Sequence, residues 1–303
     1  MSETSATTDT GRLLECTECL EPAEAFALIG NDIRLAILEA LFEADDRPVS
    51  FSELHRSVGI RDSAQFNYHL QKLTGHFVRH VEDEGYDFRH AGEKVVRSIV
   101  AGSFTERPQL EPFAVEGECV DCAGRLEAVF DDERLAITCS ACRRDHGRYG
   151  FPPGGLTDRS PAEIARAFDQ RVRHLHCLAA DGVCPECSGR MEPSVNETEA
   201  RDGEGSVQVD RTCQQCGHSV RSALGLQLLD DAEVVGFHRE RGIRLDQRPY
   251  WTLPWCVCPR YTTIINRDPY RFEVRIPVDA DELRVRLDQH LDVIDITAVS
   301  DAV

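Results

Sequence analysis

Ten of the thirteen cysteines in this chain stand in Cys-x-x-Cys pairs, and eight of those ten fall into two matched sets. Cys119 and Cys122 are followed, after sixteen intervening residues, by Cys139 and Cys142. Cys184 and Cys187 are followed, after twenty-five, by Cys213 and Cys216. A Cys-x-x-Cys turn aims two thiolates at one ion, and two such turns at the ends of a hairpin complete the tetrahedral cage that zinc prefers. The intervening segments agree with that geometry. Arg125 to Phe130 and Arg134 to Thr138 read as strands around the turn Asp131-Asp132-Glu133. Arg190 to Val195 and Val207 to Arg211 bracket an acidic loop, 196 to 206. Gly124, Gly189 and Gly217 stand where knuckle turns need a permissive backbone.

Each set therefore resembles a zinc ribbon, and the expected cofactor is Zn2+ in two structural sites. Four thiolates leave no open coordination position, so a catalytic metal is not expected. The competing reading is a thiol redox switch, in which exposed thiolates are oxidised with loss of zinc. An odd number of cysteines and no export leader argue against a disulfide scaffold. The remaining cysteines are weaker signals. Cys16 and Cys19 form a lone pair near the N-terminus, Cys256 and Cys258 form a Cys-x-Cys, and a third site uniting them has no local support. Cys177, beside His174 and His176, is read as packing of a helix, and His218 is redundant where four cysteines suffice.

The N-terminal third carries a different pattern. In Arg61 to Val78, Phe66, Leu70, Leu73 and Phe77 recur at helical spacing as one buried stripe. Arg61, Tyr68, Gln71 and Lys72 fall opposite, flanked by Gln65 and Asn67, and none of these is acidic. Such side chains hydrogen-bond base edges and phosphates. Asp62 with Gln65 has the form of a capping box, as do Ser50 with Glu53 upstream. The latter opens a short helix with Leu54 and Val58 inward and Gly59 as its stop. Ala25 to Ala44 is amphipathic with one break at Gly30-Asn31, and its Phe26, Ile29, Ile33, Ala36, Ile37 and Leu41 are expected in the core. Val78 to Val81 and Tyr86 to Phe88 flank the acidic turn Glu82 to Gly85 as a two-stranded wing, and Gly92 to Val100 returns as a helix.

This order, with FNYHLQKL and the following GYDFRHAGEKV, resembles the ArsR-type winged helix-turn-helix transcriptional regulators, in the form common in halophilic archaea. The resemblance covers about residues 22 to 103. It implies a sequence-specific DNA-binding repressor or activator, commonly a dimer on a palindromic site. Ser63, Gln65, Asn67, Tyr68 and Lys72 lie where that family meets DNA. The metal-sensing members carry Cys-x-Cys on the preceding helix. Here that helix, FSELHRSVG, has no cysteine, which speaks against arsenic or cadmium sensing of that kind. His69, His76 and His80 lack partners at ligand spacing and are read as packing or wing contacts.

Net charge opposes a DNA partner at low salt, since 34 basic residues face 53 acidic ones, for a net of -19. Only Lys72 and Lys94 are lysine, a composition that looks like a salt-in halophile proteome. Residues 22 to 102 hold 13 acidic and 9 basic side chains, so most of the acid excess lies elsewhere. At molar salt the Debye length falls to about 3 Å and global repulsion is screened. Phosphate attraction weakens too, leaving base contacts and shape to carry more of the affinity. No apolar run approaches the length of a membrane span, and the first twenty residues have no leader pattern, so the expected location is cytoplasmic.

The expected class is thus an α+β multidomain chain: a tail or arm at 1–21, its first eleven residues disordered, and a winged helix-turn-helix at 22–103. Zinc ribbons follow at 113–155 and 181–225, joined by a helix at 160–180 that starts at the Ser160–Glu163 capping box. A helix from Asp231 to Arg241 and an antiparallel β meander fill 226–303, with Tyr250, Trp251 and Trp255 as its core. The function expected is a DNA-binding transcriptional regulator whose partners are double-stranded DNA and a second copy of the chain. Its zinc-stabilised half would serve dimerisation or signal input. The alternative is a zinc-ribbon adaptor making protein or RNA contacts, or a redox-sensing regulator. No triad, phosphate-cradling loop or open metal site points to an enzyme or to a small-molecule substrate.

Overall fold

Every strand pairing in the computed structural model is antiparallel and most connections are short hairpins, as the turn signals require. The structure describes residues 20–199 and 205–300 and is of the α+β class. Cys16, Cys19 and the N-terminal tail lie outside the described residues. The chain divides into two units, Met1–Phe104 and Thr105–Val303.

In the first unit, α1 (Pro22–Ile29), α2 (Asp32–Glu43), α3 (Phe51–Val58) and α4 (Ser63–Leu73) precede a hairpin of β1 (Val78–Val81) and β2 (Gly85–Phe88), and α5 (His90–Val100) follows. Each boundary has a local cause. The Asn31 side chain accepts from the Arg34 N–H, Ser50 from Glu53, and Asp62 from both Ala64 and Gln65. Of the two boxes expected here, only the N-cap half forms, because no return bond from Glu53 or Gln65 is present. Gly59 ends α3 at φ 73°, the left-handed cap that glycine adopts without penalty. The core collects Ile37, Leu38, Leu41, Leu54, Phe66, Leu70, Leu73, Phe77, Val78 and Val96. Phe26 departs from expectation and is 72% exposed, because α1 is short and turns Ala25, Leu28 and Ile29 to the core instead. Val49 exchanges two 2.8 Å backbone bonds with Tyr86, adding a one-residue bridge from a third segment to the hairpin. Gly92 lets α5 cross the Phe77 carbonyl, where a Cβ would collide.

The described residues of the second unit hold three sheets and three α-helices. β3 (Phe113–Glu118), β4 (Arg125–Asp131), β5 (Arg134–Cys139) and β6 (Asp145–Gly150) form the first sheet in chain order. α6 (Pro161–Ala180) starts at the Ser160–Glu163 box, complete in both directions. β7 (Met191–Glu199), β8 (Gly205–Cys213) and β9 (Ser219–Ala223) form the second sheet. β7 and β8 therefore extend into the segment expected as a loop at 196–206, of which 200–204 lie outside the described residues. α7 (Ala232–Glu240) and α8 (Pro254–Val257) precede the meander β10 (Thr262–Arg267), β11 (Tyr270–Val278), β12 (Asp281–Leu287) and β13 (Val293–Ser300).

One core joins these pieces. Leu126, Leu135 and Ile137 from the first sheet, Phe168 and Val172 from α6, Val207 and Val209 from the second sheet, and Phe272, Val274 and Val285 from the meander belong to one buried cluster. Tyr250, Trp251 and Trp255 are in it as well, so they serve more than the meander assigned to them from sequence. Phe168 stands at the centre, with ring centroids of Tyr149, Phe151, Tyr250 and Trp251 between 5.8 and 6.4 Å away. Such a side chain contributes roughly 1.5–3 kcal/mol through burial alone. Beside it, Asp169 and Arg173 form a buried ion pair at 2.9 Å. Its charges are satisfied further: Asp169 accepts from the Tyr250 N–H at 2.7 Å, and Arg173 donates to the Arg248 carbonyl.

Candidate functional site

The eight paired cysteines come together as two groups of four. Within each, every sulfur lies within 4.8 Å of the others. The Sγ–Sγ separations of Cys119–Cys142 and Cys122–Cys139 are 3.6 and 3.5 Å, and those of Cys184–Cys216 and Cys187–Cys213 are 3.7 and 3.5 Å. A metal bound tetrahedrally at the usual zinc–sulfur length spaces its sulfurs about 3.8 Å apart, so both sets fit one ion each. In each set two thiols are buried and two exposed: Cys122 and Cys142 in the first, Cys187 and Cys216 in the second. Among the described residues no other group of ligand side chains converges in this way. Cys177, Cys256, Cys258 and His218 stand outside both sets.

The two centres match bond for bond. Cys119 N–H donates to the Gly124 carbonyl and Ala123 N–H to Cys119; Cys184 with Gly189 and Ser188 with Cys184 repeat both bonds. Across each hairpin, Ser140 N–H donates to the Arg125 carbonyl and Gln214 N–H to Arg190. The second knuckles repeat as well, with Cys139 N–H on Arg144 and Cys213 N–H on His218. Backbone donors also point at sulfur. Cys142 N–H lies 3.5 Å from Cys139 Sγ, and Cys216 N–H lies 3.5 Å from Cys213 Sγ. Those N–H groups hold both the Cys139 and the Cys213 thiol at about 6, below the usual range, which favours the metal-binding thiolate.

The glycines have a different purpose from the one their position indicates. The left-handed residues of the knuckles are Ala123, Arg143, Ser188 and Gly217, so of the three expected glycines only Gly217 answers to backbone conformation. Gly124 and Gly189 answer to space. A Cβ at Gly124 would stand 2.9 Å from Cys139 Sγ and 3.2 Å from Cys122 Sγ. At Gly189 the distances are 3.0 Å to Cys213 Sγ and 3.2 Å to Cys187 Sγ. The sequence carries this signal as a repeat, CVDCAGRLE at 119–127 and CPECSGRME at 184–192, which spacing of the cysteines alone does not bring out.

The other candidate surface is the outer face of α4 together with Arg61, which precedes its N-cap Asp62. Arg61, Ser63, Gln65, Asn67, Tyr68, Gln71 and Lys72 are all exposed, while Phe66, His69, Leu70 and Leu73 are buried beneath them. The Lys72 ammonium stands 5.8 Å from the Tyr68 ring centroid. The Asp62 Oδ1 is taken up by the two N–H groups it caps. His69 is no ligand. Burial and then the Arg34 guanidinium hold its imidazole below its ordinary value, and Arg34 reaches the Ala27 and Leu28 carbonyls, tying α2 to α1 and α4. No helix among the described residues is long and apolar enough to cross a membrane.

Residues 116–293 match the model of a domain of unknown function (DUF7351), and residues 22–99 match a second domain of unknown function (DUF7347). No curated protein and no solved structure matches the chain.

Proposed function

The chain belongs to the family of the domain of unknown function DUF7351, whose model covers more than half of it, and we propose that it is a sequence-specific DNA-binding transcriptional regulator. On this reading the first unit is a winged helix-turn-helix of the ArsR type, with α3 and α4 as the helix-turn-helix and β1–β2 as the wing. The observation that carries it is the outer face of α4 together with Arg61: seven exposed side chains, rich in amides, ending in a lysine and free of carboxylates. A capped helix standing on a closed core offers those groups to a major groove. The second unit is read as two zinc ribbons in one core, supplying dimerisation or signal input. Zinc suits four thiolates at tetrahedral spacing, and two equivalents per chain by elemental analysis are expected.

Binding to duplex fragments from around the chain's own gene, followed by fluorescence anisotropy at high salt, tests the assignment. Substituting Asn67→Ala and Lys72→Ala together is expected to lower affinity at least about tenfold, since one good base contact is worth roughly 1–3 kcal/mol. An unchanged affinity would turn the reading toward the adaptor that uses its ribbons for protein or RNA. A redox-sensing version of the regulator draws on one observation, the exposure of Cys122, Cys142, Cys187 and Cys216. Peroxide that releases zinc without altering DNA affinity refutes that version.

A further inference from the structure

We propose that the base pairs read by α4 are A·T pairs, an inference that rests on the DNA-binding reading above. At about 100° per residue, Ala64, Tyr68 and Gln71 share the centre of the exposed arc, diametrically opposite Leu73 and Phe66, with Asn67 beside them. The chemistry of that central patch is selective. Asn and Gln amides pair with adenine through N6 and N7, each amide offering one acceptor and one donor. The exposed methyl of Ala64 and the ring of Tyr68, 57% exposed, supply the apolar surface that meets a thymine methyl.

Guanine is read by a guanidinium or ammonium on O6 and N7, and cytosine by a carboxylate on N4. Within this helix no guanidinium and no carboxylate stands, and its single ammonium, Lys72, lies in the last turn. Arg61 precedes the cap, and Lys72 lies on the same outer face as Tyr68 and Gln71, in the last turn over the Tyr68 ring. Both cations are assigned to phosphate, where Arg and Lys fix register and orientation without choosing a base. Of the nearby carboxylates, Asp62 is held by the Ala64 and Gln65 N–H groups, at 2.8 and 3.2 Å, and Glu24 of α1, which lines one hollow with Gln71 and Lys72, accepts from the Glu21 N–H. The hairpin adds little discrimination of its own. Its turn exposes Glu82, Asp83 and Glu84, which phosphate repels, and Arg79 is engaged with Asp87 at 2.5 Å. An A·T preference therefore arises in the major groove, at α4, and not from a cation placed in a narrow minor groove.

The test is selection of duplexes with a randomised core by the full chain, with sequencing of the retained pool. The expected motif has A·T pairs at its strongest positions. Asn67→Ala is expected to lower affinity for the selected duplex about tenfold while leaving affinity for a scrambled duplex unchanged. Gln71→Arg is expected to convert one position from A to G. Both side chains are exposed, so neither change touches the core. A wild-type motif dominated by G·C pairs, or a Gln71→Arg variant with the wild-type preference, overturns this inference and leaves the DNA reading standing. Retention without enrichment, or no retention, takes down the sequence-specific reading and this inference with it.

Discussion

The two four-cysteine centres are nearly identical out to their backbone hydrogen bonds, yet they sit in different surroundings. Cys119 and Cys139 belong to the large core, together with Leu126, Trp251 and Trp255. Cys184 and Cys213 belong to a small satellite cluster with Ala179, Met191 and Val220. The knuckles of the first centre are also clamped from outside. Arg144 pairs with Asp121 and donates to the Val257 carbonyl at 3.0 Å, and Arg260 reaches the Val120 carbonyl. Among the described residues no side-chain hydrogen bond from outside the second hairpin reaches its knuckles at 184–189 or 213–218. Coordination chemistry is therefore set locally by a nine-residue repeat, whereas the consequence of losing the metal is set by what the strands behind it support. The first centre is built as a foundation and the second as an appendage.

The largest effect expected from this contrast is on folding. Structural zinc sites carry on the order of 10 kcal/mol of binding free energy that couples to folding. Cys139→Ser is therefore expected to abolish the near-ultraviolet signal of Trp251 and Trp255, both buried in the core beside the first centre. Cys213→Ser is expected to preserve most of that signal while removing one equivalent of zinc. Equal losses from the two variants would erase the distinction between foundation and appendage.

A smaller effect concerns the order of release. Groups that support metal ligands are typically worth 10–100-fold in affinity. Under a chelator with a zinc-sensitive dye, release is expected in two phases, with the second centre emptying about tenfold faster. Assignment follows from the Cys213→Ser chain, which should lack the fast phase. A single phase for both ions contradicts the asymmetry.

Much of this was legible in the residues, and for physical reasons. Strands β4, β5, β7, β8 and those of the meander follow from period-two alternation, and the helix α6 from its capping box. The four-cysteine groupings follow from spacing alone. What escaped were the third strands β6 and β9 and the leading strand β3, where polar residues mask the alternation: DHGRYG and FAVEGE bury little on either face. The shared core escaped too, since periodicity tells which face of an element is apolar and not which neighbour covers it. Phe26 illustrates that limit from the other side, an apolar residue at a fitting position left 72% exposed. The role of Gly124 and Gly189 required coordinates, because only distance separates a glycine needed for φ from one needed for space.

Those two glycines give a prediction in which the centres should behave alike. Gly124→Ala places a methyl 2.9 Å from Cys139 Sγ and 3.0 Å from Ala141 Cβ; Gly189→Ala places one 2.8 Å from Gln215 Cβ and 3.0 Å from Cys213 Sγ. Overpacking of this kind costs about 1–3 kcal/mol, and zinc affinity measured by competition should fall by a similar factor at both. A large effect at one centre and none at the other would show that the local repeat is not equivalent after all.

The least change in stability is expected at Arg144, the residue that clamps the first centre. Arg144→Gln removes the ion pair with Asp121, whose side chains are 26% and 40% exposed, together with the bond to Val257. A pair so accessible to solvent is worth less than about 1 kcal/mol, so the midpoint of chemical unfolding should barely move. The slow phase of zinc release should nevertheless accelerate toward the fast one, because the knuckle at 119–122 loses the side chain that ties it to residue 257. If the slow phase is unchanged, slowness comes from burial of Cys119 and Cys139 in the main core and the clamp is incidental. If it merges with the fast phase, the outer contacts of one arginine account for the difference between two otherwise matching centres.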